Sequence, residues 1–140
     1  MEKFAGSNAC GWVAAYNALF AIDNKKSPAD IIQYIESNDG LILDGVFGVN
    51  PAIYDRLFKR FGEISETTYT PTNLDETAKK GRTAILCYFN DKDDISKGAH
   101  YINITWNGNE YEAHNAPEKQ FNSIDEFLRK RIFISLTTIE

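Results

Sequence analysis

Apolar and polar positions follow two different periods along this chain, and the change comes near residue 82. Before it the pattern is helical. Residues 10–22, CGWVAAYNALFAI, are apolar nearly all round, with Asn17 the interruption. That predicts a helix from Cys10 to Ile22, capped by Ser7 or Asn8, in a central, buried place. A second helix opens at Ser27, with Pro28 at its first position and Asp30 complementing the dipole, and runs to about Asn38 before Gly40. Residues 40–50, GLILDGVFGVN, read as a connection punctuated by glycines that include Gly45 and Gly48. A third helix is predicted from the Asn50 cap and Pro51 to Gly62, and a short fourth between Asn73 and Gly81.

Beyond residue 82 the period shortens. RTAILCYF (82–89), HYINITW (100–106) and EYEAHN (110–115) predict strands, and NGN at 107–109 predicts the turn that joins the last two. SIDE at 123–126 is a capping box for a helix to about Arg131, and IFISLTTI closes the chain as a strand. Helices first and a mostly antiparallel sheet later predict an α+β fold, one domain over residues 1–140.

Alternation sorts the hairpin residues by face. His100 shares a face with Ile102, Ile104 and Trp106, and Tyr101, Asn103 and Thr105 take the other. On the returning strand Tyr111, Ala113 and Asn115 go together, and His114 goes with Glu110 and Glu112 toward solvent. If the apolar sets face the core, His100 and Asn115 lie on the core side at one end of the hairpin. The first helix is then expected to pack on that face, with Cys10 next to His100.

Composition narrows the classes. A length of 140 residues accommodates one real core. The net charge of -5 comes without any Lys/Arg stripe, so nucleic acid is not an expected partner. The run at 11–22 is too short for a membrane span and lacks the flank and cleavage site of a signal peptide; the sparse cysteines lean toward a cytoplasmic location, with secretion after removal of a signal as the alternative. Two cysteines are too few for a disulfide framework, although one bridge between Cys10 and Cys87 is compatible with the sequence. Cys87 sits in a strand that reads as buried core. Alternation sends the two histidines apart, which argues against zinc. DKDD at 91–94 lacks the glycine and terminal glutamate of a calcium loop. No metal or cofactor is expected.

The candidate chemistry is therefore a thiol with an imidazole. Cys10 in the first turn of a helix faces orphan N–H groups and the positive end of the dipole, which favour a thiolate, and a nearby imidazolium would favour it further. A cysteine also packs well as a small apolar side chain. The parity of His100 and Asn115 favours the reactive reading, with nucleophile, base and orienter arranged for acyl transfer.

These residues carry a resemblance. NACGWVAAYNAL, then GAHYINIT, then HNAP resembles the papain-like cysteine peptidase superfamily, with the small bacterial members similar to bacteriocin-leader-processing peptidase domains as the nearest type. The motifs cover residues 7–22 and 99–117, and the middle matches only in the order of its elements. The resemblance implies Cys10 as nucleophile, His100 as general base and acid, and Asn115 as orienter of the imidazole. The family usually places an oxyanion-hole glutamine six residues before the cysteine, and here that position is Phe4. Gln33 and Gln120, the only glutamines, lie far from the motif. Asn8 or Ser7, with the Cys10 N–H, would have to form the hole, and one lost donor costs ~3–4 kcal/mol in the transition state. The implied activity is hydrolysis of a peptide or amide bond in a peptide or protein substrate. Transglutaminase-like acyl transfer and a degenerate, binding-only peptidase fold are the alternatives.

Overall fold

The computed structural model describes residues 10–38, 40, 49–94 and 98–140; Phe4, Ser7, Asn8, Gly45 and Gly48 lie outside the described residues. Among the described residues the helices are α1 (Cys10–Ala21), α2 (Pro28–Ser37), α3 (Ile53–Arg60), α4 (Leu74–Lys80) and α5 (Ile124–Phe127). The strands among the same residues are β1 (Ser65–Thr68), β2 (Thr83–Phe89), β3 (Ala99–Trp106), β4 (Tyr111–His114), β5 (Gln120–Phe121) and β6 (Ile132–Ile139). They form one sheet in the order β1-β6-β2-β3-β4-β5, antiparallel at every pairing, so the fold is α+β.

Local chemistry explains most of the elements. The Ser27 hydroxyl accepts from the Asp30 N–H at 3.1 Å, and Ser123 accepts from the Glu126 N–H at 3.0 Å, as their cap motifs predict. Asn107 Oδ1 accepts from the N–H groups of Asn109 and Glu110, which closes the β3–β4 turn. Gly108 there has a φ of 97°, a left-handed value that its lack of a Cβ permits. Asn50 Oδ1 holds the Ala52 N–H at 3.0 Å, and α3 begins at Ile53, three residues after Asn50. The helix after Ser123 stops at Phe127, short of Arg131, because the chain turns there to enter β6. β1 and β5 were not predicted. SETT has no apolar alternation, and a strand of two residues carries no period at all.

Both faces of the sheet are covered, which corrects the expectation that Tyr101, Asn103 and Thr105 face away from the core. Tyr101, Ile85, Cys87 and Ile139 pack with α1, α2 and α3. Ile102, Ile104, Leu86, Tyr88 and Leu136 pack with α4 and α5 on the opposite face. Asn103 is fully buried and donates to Thr83 Oγ1 at 2.7 Å and to the Ala84 carbonyl at 3.0 Å. A polar side chain inside one face is tolerated because neighbouring strands satisfy its donors.

α1 is not buried all round. Gly11, Ala14, Ala15, Ala18 and Leu19 form its buried stripe, while Phe20 is 57 % exposed and stacks on Tyr16. Small residues on the buried side bring the helix axis close to the sheet. Among the described residues no helix is long and apolar enough to cross a membrane.

Candidate active site

Cys10 opens α1 and is partly buried against the α1-side core. Its first turn is fixed from below. The Tyr54 hydroxyl donates to the Gly11 carbonyl at 2.9 Å, and the Tyr101 hydroxyl donates to the Val49 carbonyl. Val49 presses on Gly11 so closely that a Cβ there would lie 2.3 Å from its Cγ2.

The sulfur reaches the strand. Backbone N–H groups of Tyr101, Cys10 and Gly11 are turned toward it. β3 is paired with β2 from Ile104 down to Ala99, but β4 pairs only from Asn103 onward. The N–H of Tyr101 that meets the thiol therefore faces the side where β4 has ended. The residue whose N–H meets Cys10, Tyr101, directly follows His100 in β3.

The hairpin alternation holds: His100 is paired with Tyr88 and stacks on it, on the face of Ile102 and Ile104. The expected position of α1 does not hold. It packs on the Tyr101 face, so Cys10 and His100 approach one point of β3 from different sides. Sequence parity cannot show this, because both faces of β3 carry apolar residues and each has its own helices.

Asn115 follows the end of β4 in a left-handed conformation, φ 63°, and is exposed. The register Asn103↔His114, continued by one residue, would set Asn115 opposite Ile102 and diagonal to His100. His114 is exposed, as its parity predicts. Ser7 and Asn8, the candidate oxyanion donors, lie outside the described residues. The N–H groups of Cys10 and Gly11 belong to the first turn, where no helical acceptor exists for them.

Electrostatics depart from the expected thiolate. Burial pushes the Cys10 thiol above its ordinary value, and the three N–H groups offset this only in part. Burial, then the Arg131 charge, hold His100 below its ordinary value. At neutral pH the two groups start as thiol and neutral imidazole. Cys87 is buried in the sheet and pushed up to about 12 by burial, and no disulfide joins it to Cys10. Among the described residues, no three His, Cys, Asp or Glu side chains cluster to hold a metal ion.

Sequence reasoning missed Tyr54, Tyr88, Tyr101 and Arg131. Each acts through a partner far away in the chain, and no local pattern marks it. No protein-family model matches the chain, and no curated protein sequence matches it.

Proposed function

We propose that this protein is a papain-like cysteine peptidase or amidase. The observation that carries the reading is the Cys10 sulfur at the N-terminus of α1, against the N–H of Tyr101, the residue that follows His100 in β3. In this reading His100 removes the thiol proton as Cys10 Sγ bonds to the substrate carbonyl carbon. The resulting oxyanion is held by the Cys10 and Gly11 N–H groups. His100 returns the proton to the amine as the C–N bond breaks, and water then releases the acyl group from sulfur with His100 as base. A neutral thiol and a neutral imidazole suit this sequence of steps, because the base must begin unprotonated.

The same raised thiol also supports a second reading, a peptidase fold kept for peptide binding, since burial holds back the nucleophile. Iodoacetamide at pH 6 separates the two. The catalytic reading expects Cys10 to alkylate far faster than Cys87 and His100→Ala to slow it. Equal, sluggish reaction of both thiols would sink it. Product analysis with and without an added amine then distinguishes hydrolysis from acyl transfer.

A further inference from the structure

His100 is held by a stack that no local motif announces. Across the β2–β3 ladder it faces Tyr88, with ring centroids 6.0 Å apart and planes inclined by 26°. Tyr88 is only 1 % exposed and is itself fixed by an edge-on contact with Phe127 at 5.0 Å. The Arg131 guanidinium lies 5.7 Å from the centre of the same Tyr88 ring and 4.2 Å from that of Phe127. It is not a loose surface cation. Nη1 donates to the Phe127 carbonyl at 2.7 Å, Nη2 pairs with Glu118 at 3.4 Å, and 17 % of the side chain is exposed.

We propose that Tyr88 and Arg131 are positioning residues for His100, the phenol ring fixing the plane of the imidazole and the guanidinium supplying a fixed positive charge against the same phenol ring. The inference rests on the reading of His100 as the general base, and it adds the means by which that base is held and kept receptive. A cation near an imidazole penalises the imidazolium, and a partly buried one is weakly screened. That agrees with His100 lying below its ordinary value through burial and then Arg131.

The other groups around it do not cancel the effect. Tyr88, from β2, is pushed up to about 12 by burial and stays neutral. Cys10, from α1, stays a thiol because burial raises it. Glu118, from the β4–β5 connection, opposes Arg131, but its side chain is 49 % exposed and water screens it. Asn115 stands exposed at a turn, whereas Tyr88 is buried and cannot swing away.

The test is an NMR titration of His100 in the full chain. The protein has two histidines, so a His114→Gln background leaves one imidazole signal. Arg131→Met should raise the His100 midpoint, and Arg131→Lys, which loses the same packing but keeps the charge, should restore it. Tyr88→Leu should move the His100 ring protons out of the ring current, and Tyr88→Phe should leave them in place. If Arg131→Met does not fold, Glu118→Gln replaces it, and the unopposed cation should lower the midpoint. An unchanged midpoint in folded Arg131→Met, a Lys variant that fails to restore it, or a Glu118→Gln midpoint that stays or rises overturns the proposal. These readouts do not involve Cys10, so they fail separately from the function. A wrong function would show in Cys10 alkylation that ignores His100→Ala.

Discussion

The Tyr54 hydroxyl donates a 2.9 Å hydrogen bond to the carbonyl of Gly11, joining α3 to the first turn of α1 across 43 residues of sequence. Both partners are buried, and burial pushes the Tyr54 phenol so far up that it remains a donor at any physiological pH. Tyr54→Phe removes the donor but leaves the Gly11 carbonyl its acceptor role within the helix. The expected loss is therefore about 1 kcal/mol, measured by urea unfolding, rather than the roughly 3 kcal/mol of a fully orphaned buried group. Alkylation of Cys10 should also lose rate, since the turn that aims the sulfur is less constrained.

Gly11→Ala should destabilise, against helix propensity. In a free helix Ala is better than Gly by about 1 kcal/mol. Here the new Cβ would sit 2.3 Å from Val49 Cγ2 and 2.6 Å from Val49 Cβ, and Val49 is itself fully buried. Overpacking of this kind costs typically ~1–3 kcal/mol, so the clash outweighs the propensity. The midpoint of thermal unfolding should fall, and Val49→Ala in the same chain should recover part of the loss. A more stable Gly11→Ala variant would show that α1 can shift away from the connection.

The pH profile of thiol alkylation should carry two limbs at Cys10. The lower follows His100, whose loss of a proton falls below the ordinary imidazole value of 6.5 because of burial and Arg131. The upper follows the Cys10 thiol itself, raised by burial above 9.0. His100→Ala should erase the lower limb and slow alkylation at pH 7 by about 100-fold or more, the scale of general-base assistance. Cys87, pushed up to about 12, should react only after unfolding. Mass spectrometry of labelled peptides resolves the two sites.

Acid should weaken one clasp on the α1 side. Burial works against the Glu63 carboxylate, but hydrogen bonds from Arg82 and Asn24, with the Arg82 charge, outweigh it and hold the carboxyl below its ordinary range. A lowered folded-state value means that this stability is present above the unfolded carboxyl value and is lost as pH falls through the folded one. Glu63→Gln should cost up to about 1 kcal/mol at pH 7 and progressively less at pH 3, as read from urea midpoints. An equal cost at both pH values would refute the assignment.

The sequence by itself determined the elements that have a period or a cap. Residues 10–21 and 28–37 are helical, 83–89, 99–106, 111–114 and 132–139 are strands, and the turn at 107–109 joins β3 to β4. Those features arise from neighbours within a few residues, so they are written locally. Cys10, His100 and Asn115 could be singled out for the same reason, by helix position and strand parity. Tertiary structure alone decided which side of β3 α1 would occupy. Tyr101 and Ile102 both look like core residues, and only the placing of α1 to α3 against one face and α4 and α5 against the other distinguishes them. It also decided the protonation of the site. A helix N-terminus promises a thiolate, yet desolvation outweighs three N–H groups at Cys10, and Arg131, 31 residues beyond His100, helps keep the imidazole neutral. Burial and long-range charge are sums over residues distant in the chain, and no local pattern encodes them.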